Sequence, residues 1–358
     1  MKLFSLVLLL FCFFTEAPAQ KEKEPCTIEI ELKHTPVISQ GSTGTCWSFA
    51  TTSFLESEIM RKGFPETDLS EMYFVWNGYI NRAEDYLLYH GKNNFGQGGQ
   101  AHDVMDVLRE KGMVTDEAFP GKKVDGRFSH HDLVNELNIA VTDLNKKRKD
   151  FDVNDVHSLE SILKEYIGKL PNKVKTDDGN YTPAEFRDKF GLNPDDYVEI
   201  SSYTHHPFYK PFVLEVPDNW AHECYYNLPI DELVETIEYS LKQGYTVCWD
   251  GDSSEKTFSH KKGLADVPKN QIGKIDQEMR QETFFDRTTT DDHLMHVVGL
   301  SKAPDGRTCF YTKNSWGANS NDFGGYLHLT SDYVRLKTIA ILVNKEAIPP
   351  QIKAKLNL

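Results

Sequence analysis

Between Cys46 and Arg61 the apolar residues keep a helical rhythm, with Trp47, Ala50 and Phe54 on one line and Leu55 and Ile59 on the next. The run stops before Gly63 and follows a stretch rich in Gly, Ser and Thr, Thr35 to Thr45. This pattern predicts a helix that carries Cys46 in its first turn. A second amphipathic stretch, Ala101 to Lys111, comes after Gly98-Gly99 and ends at Gly112. From about residue 125 to 215 the chain turns polar and charged, with helical patches such as Leu159 to Tyr166, and reads as an insertion. Beyond it, Ile230 to Lys242 predicts a helix ended by Gly244, leading into the apolar run Tyr245 to Trp249. His293 to Leu300 and Thr308 to Thr312 predict two strands joined by Pro304-Asp305-Gly306, and Thr338 to Val343 a last strand. Helices gather early and strands late, an α+β organisation. The boundaries read as a helical region over 20–124, an insertion over 125–228, a sheet-rich region over 229–344 and a tail over 345–358.

The first nineteen residues predict an export signal. Lys2 supplies the positive start, Leu3 to Phe14 the apolar run, and Ala17-Pro18-Ala19 the cleavage site. The run is too short to span a bilayer, which needs ~20 apolar residues. The mature chain is therefore expected to start near Gln20, periplasmic or secreted and without a membrane anchor. A length of 358 residues with 39% hydrophobic and 26% charged residues suits a folded chain of two domains or one enlarged one. The net charge of −14 has the wrong sign for holding nucleic acid by the overall field. Past Cys12, in the signal, the cysteines are Cys26, Cys46, Cys224, Cys248 and Cys309. An odd number without C-x-x-C spacing is neither a disulfide framework nor a structural zinc site, and points instead to a free, reactive thiol.

Cys46 is the candidate nucleophile, because a helix N-terminus favours the thiolate and is expected to lower its pKa. Gly41 and Gly44 allow close approach of backbone to a substrate, and the Gln40 amide is able to donate to an oxyanion beside the Cys46 backbone N–H. A base follows from the hairpin. If its turn centres near Pro304-Asp305, residues whose numbers sum to about 609 face each other, which sets His293 opposite Trp316 and within about two places of Asn314. The Asn314 oxygen is then placed to fix one imidazole nitrogen while Trp316 excludes water. His296, at an odd offset in the same strand, reads as a packed or solvated histidine.

The segment Gln40-Gly41-Ser42-Thr43-Gly44-Thr45-Cys46-Trp47-Ser48-Phe49, then His293 ahead of Gly299, then Asn314-Ser315-Trp316-Gly317, resembles the papain-like cysteine peptidases in the chain order Cys, His, Asn. Leu69-Ser70-Glu71 and Gly98-Gly99 extend the match. Two departures stand out. Thr43 and Gly96 occupy the places where secretory members usually carry a disulfide, and the gap from Cys46 to His293 exceeds the usual ~130–150 residues by about 100. Both, with Thr204 to Phe212 and Trp249-Asp250-Gly251-Asp252, resemble the bleomycin hydrolase and aminopeptidase C branch.

The resemblance implies a two-lobed papain-like fold with a large insertion elaborating the helical lobe, and peptide hydrolysis by Cys46, His293, Asn314 and Gln40. It also implies substrate contacts at Gly98, Gly99 and Trp316, and a C-terminus that enters the cleft so that Leu358 meets the free amino group of a substrate. Neither cofactor nor metal is implied; the partners are peptides, and the family suggests a homo-oligomer, a hexamer. Alternatives are a papain-like endopeptidase, a transglutaminase-like acyl transferase and a catalytically silent binding protein. His130-His131 and His205-His206 read as surface or hydrogen-bonded pairs, and Asp250 and Asp252 as turn residues.

Overall fold

The described residues of the computed structural model are 24–147, 150 and 152–358, so the export segment lies outside them. After strand β1 (Thr27–Glu31), three helices build the first half: α1 (Cys46–Arg61), α2 (Glu71–Leu88) and α3 (Ala101–Lys111). The sequence pattern left α2 unmarked because its apolar positions form no single stripe; nearly every residue from Glu71 to Ile80 is buried. Ser70 starts it by accepting the Tyr73 N–H.

The stretch read as one insertion divides in two. Helices α4 (His131–Lys146), α5 (Glu160–Tyr166) and α6 (Pro183–Lys189), with the hairpin of β2 (Val174–Thr176) and β3 (Gly179–Tyr181), add Leu133, Leu137, Val141, Leu163 and Phe186 to the helical core. Its second part supplies β4 (Tyr197–Ser201), β5 (Pro211–Val213) and β6 (Cys224–Asn227) to the main sheet. The sheet-rich region thus begins before residue 229. These strands are too short to show an alternating pattern in the sequence, and sheet partners far away in the chain recruit them.

The remaining elements are α7 (Ile230–Lys242), β7 (Val247–Gly251), β8 (Phe258–Ser259), β9 (Leu264–Ala265), α8 (Gln277–Phe285), β10 (His293–Lys302), β11 (Thr308–Lys313), β12 (Tyr326–Thr330), α9 (Ser331–Lys337), β13 (Thr338–Asn344) and α10 (Pro350–Leu356). The sheet runs β5-β6-β4-β13-β7-β10-β11-β12-β9-β8, with β1 added on β10. Side chains alternate between its faces. Cys248, Leu294 and Leu342 join the core of α1, α2 and α3, whereas Val247, Trp249, Met295, Val297, Ile341 and Val343 pack with α7 and α10 on the other face. No helix among the described residues is long and apolar enough to cross a membrane.

Candidate active site

Cys46 opens α1 with its side chain buried, and its thiol lies against the backbone N–H of Leu294, the residue after His293. The expected lowering of its pKa is not what the surroundings produce. Burial, then the charges of Asp250, Asp291 and Asp218, push the thiol up to about 12, with the Leu294 N–H pulling the other way. A helix terminus is worth about 0.3–1 kcal/mol to a charge, whereas full desolvation shifts a pKa by several units, so burial wins.

His293 begins β10 and is itself buried. The hairpin pairs His296 with Lys313, and beyond that pair the His293 Nε2 reaches Asn314 Oδ1 at 2.7 Å. An amide oxygen only accepts, so Nε2 carries the proton and a neutral ring leaves Nδ1 free as a base. Asn314 is held in turn: its Oδ1 also accepts the Ser315 N–H at 2.7 Å, and its Nδ2 faces His260 Nδ1 at 3.2 Å. The Trp316 ring stacks on His293, centroids 5.0 Å apart and 29° between planes, with its outer part exposed. Burial pushes the imidazole down to about 4 against the pull of the Asn314 bond. Burial thus works against charge on both the thiol and the imidazole. His296, three residues on, is fully buried on the α1 side, where its Nδ1 meets Ser53 Oγ at 2.8 Å and its ring packs edge-on to Phe54.

Gln40 sits in the loop before α1, its backbone N–H on Ser315 O at 2.8 Å and its Oε1 accepting from Ser315 Oγ at 2.6 Å. One Nε2 proton goes to Thr43 O at 2.7 Å, which leaves the second for a ligand. Gly41 takes φ of 64°, and a Cβ there would stand 2.5 Å from Phe128 O, so only glycine fits. The glycine pair has two roles. A Cβ on Gly99 would strike Asp103, Arg82 and Trp47, which makes it a packing residue, while one on Gly98 would stand 1.8 Å from Asp218 Oδ2.

Leu358 is elsewhere. Pro349 and Pro350 start α10, and Ile352 and Leu356 bury into the core that faces α7, with Leu358 packed beside them. This is the sheet face opposite α1, so Leu358 lies away from the cleft and the substrate contact expected of it is not made.

Residues 165–358, more than half of the chain, match the Peptidase C1-like family. The chain belongs to the Peptidase C1-like family. Residues 27–177 match the papain family of cysteine proteases as well, so both lobes of the site lie within matched sequence. This C1-like peptidase is 24% identical to aminopeptidase W of Lactobacillus delbrueckii subsp. lactis over 94% of its own length and 86% of the relative's. It is 23% identical to aminopeptidase E of Lactobacillus helveticus over 90% and 84% of the two lengths. With the mitochondrial cysteine proteinase 1 of Saccharomyces cerevisiae it shares 22% identity over 91% of this chain and 78% of the relative. The crystal structure of PepW from Lactobacillus rhamnosis HN001 has the same fold, with a TM-score of 0.71 at 20% identity, covering 92% of this chain and 84% of that one.

Four features of this peptidase escaped the sequence. Gln97 takes the place of the missing disulfide: its Oε1 accepts the Gly44 N–H at 2.8 Å and its carbonyl the Trp47 indole N–H at 2.9 Å, which ties the nucleophile loop to the glycine loop. His260 backs Asn314, as above. Asp250 is not a turn residue but a buried strand residue on the α1 face. Asp218 arrives from the loop between β5 and β6. A lone Gln, His or Asp in a polar stretch carries no local signal. Asp252 also is no simple turn residue: it holds Lys337 at 3.0 Å and accepts from Ser254.

Among the described residues, only His205, His206 and Glu215 are spaced to share a metal. Gln281 argues against that use. Its Oε1 accepts from Thr204, so its Nε2 donates to His205 Nδ1 at 3.0 Å and leaves Nε2 of His205 as the protonated atom that faces Glu215.

Proposed function

We propose that this cysteine peptidase is an aminopeptidase that works through Cys46, His293 and Asn314. The observation that carries the mechanism is the 2.7 Å contact from His293 Nε2 to Asn314, one residue from the Leu294 N–H that abuts the thiol. As the Cys46 sulfur attacks the peptide carbonyl, its proton passes to His293 Nδ1. The carbonyl oxygen becomes an oxyanion held by the Cys46 backbone N–H, unpaired at the helix start, and by the second Nε2 proton of Gln40. His293 then gives its proton to the leaving amine as the C–N bond breaks. Water, losing a proton to His293, adds to the thioester; the C–S bond breaks and the proton returns to sulfur.

Restriction to free N-termini is supported by relatives named aminopeptidases that align along most of both lengths. The decisive experiment is hydrolysis of matched peptide amides, N-terminus free or acetylated, before and after thiol alkylation and with Cys46→Ala. Cleavage of the free peptide alone, abolished by both treatments, is expected. Equal cleavage of both substrates identifies an endopeptidase, and activity in Cys46→Ala overturns the nucleophile. Export follows from Lys2, Leu3 to Phe14 and Ala17-Pro18-Ala19, and is checked by the N-terminal residue of the protein recovered outside the cytoplasm. A homo-oligomer, hexameric by family resemblance, is checked by sedimentation velocity.

A further inference from the structure

Leu358 packs on the far side of the sheet, whereas three carboxylates of the chain's interior lie near the Cys46 thiol. We propose that Asp250, Asp291 and Asp218 form the pocket that receives the α-ammonium group of the peptide to be cleaved. This rests on the aminopeptidase reading and assigns its specificity to named side chains.

Placement comes first. Asp250 lies in β7 directly across from Leu294, whose N–H abuts the Cys46 thiol, and its side chain points to the α1 face, as does Cys248 two residues earlier. Asp291 is two residues before His293 and is oriented by Gln100, whose Nε2 donates to its Oδ2 at 2.7 Å. Gln100 is fixed by the Tyr225 hydroxyl at 3.2 Å. Asp218 comes from the opposite wall. Its Oδ1 accepts from Asn94 Nδ2 at 2.9 Å, and its Oδ2 lies over Gly98. The three carboxylates therefore border the same end of the cleft, each near enough to the thiol to affect its charge.

The second observation is that Asp250, only 3% exposed, meets no N–H or hydroxyl donor among the described residues; what faces it is the Asp291 carboxyl, and burial beside that neighbour pushes Asp250 well up, so that the two acids share a proton. Two buried acids that face each other with no cation between them cost free energy and are not retained by packing needs, for apolar residues of that size would serve better. What Asp250 lacks is a cation with several N–H donors, and an ammonium group supplies three. Asp291 is pushed up to about 8 by burial and by Asp218, and only its bonds to Asp250 and Gln100 draw it back. The trio does not converge to metal-ligand spacing, which among the described residues only His205, His206 and Glu215 reach. Asp218 over Gly98 also stands where a longer peptide would continue along the glycine pair, so the wall that attracts an ammonium turns away an extended chain.

The test compares kcat/KM on three probes: a leucine aminomethylcoumarin amide with a free amine, its N-acetyl counterpart, and N-acetyl-lysyl-leucine aminomethylcoumarin amide. The enzymes are the full chain, Asp250→Asn, Asp291→Asn and a chain lacking Asn357 and Leu358. Each Asp→Asn change is expected to lower the free-to-acetylated ratio at least tenfold, through KM, while the tail deletion leaves the ratio unchanged. Thermal midpoints establish that the variants are folded, and Asp291→Asn, at a partly exposed site, reports even if Asp250→Asn does not fold. An unchanged ratio in Asp291→Asn, with a full chain that prefers free amines, overturns the pocket and leaves the aminopeptidase reading intact. A full chain that ignores the acetyl group overturns both. If the lysyl probe is the best substrate and the one the variants lose, the pocket takes a basic side chain and the α-amine assignment fails.

Discussion

Replacing Asn314 by Ala should slow the chemical step about 10- to 150-fold. The substitution removes the acceptor that His293 Nε2 reaches at 2.7 Å, the partner of the Ser315 N–H at 2.7 Å and the contact to His260 at 3.2 Å. The first of these matters for rate, because the imidazole becomes a cation when it takes the thiol proton. A hydrogen bond to a charged group is worth about 1.5–3 kcal/mol, and each 1.36 kcal/mol is tenfold in rate. Trp316, stacked 5.0 Å away, remains to hold the ring, so the loss should stay below that of His293→Ala. The assay is kcat and kcat/KM against pH, with thermal midpoints to separate rate from stability. Asn314→Asp serves as the second arm: it keeps an acceptor, and its negative charge should raise the imidazole pKa from the about 4 that burial imposes, moving the acid limb of the profile upward. A folded Asn314→Ala enzyme within threefold of the wild-type kcat, or an Asn314→Asp enzyme equally impaired with an unmoved acid limb, refutes the reasoning.

His296→Ala, which loses a fully buried ring and its bond to Ser53, should cost about 2–5 kcal/mol in urea denaturation yet leave kcat near wild type where folded, the reverse of His293→Ala. Leu356→Ala, in the core under α7, should cost a similar 2–5 kcal/mol without changing the preference for free over acetylated peptides. Asp291 has its folded pKa raised to about 8, so it contributes stability fully below its unfolded value near 4, and that contribution fades as pH rises toward 8. Asp291→Asn removes the ionisation, and its thermal midpoint should gain on the wild type steadily from pH 5 to pH 8; a constant difference would contradict this.

The parts of the site that the sequence revealed are those set by local rules. Trp47, Ala50 and Phe54 repeat at the period of a helix, which fixed Cys46 at its start, and a strand alternates every two residues, so a turn at Pro304-Asp305-Gly306 sufficed to bring His293 toward Asn314 and turn His296 away. Other parts rest on pairings between distant segments, which leave no period in the chain. Asp250 becomes a neighbour of Leu294 only because β7 lies beside β10, and Asp218 reaches Gly98 only because its loop crosses from the sheet to the glycine loop. The thiol pKa belongs with these: helix position is legible locally, but burial is a property of everything packed around a residue, and here it outweighs the helix end. The tail makes the same point from the opposite side. Residues 345–358 read as a tail whose end enters the cleft, yet Ile352 and Leu356 sit one turn apart, and the apolar face beside α7 gave that short stripe a place to bury.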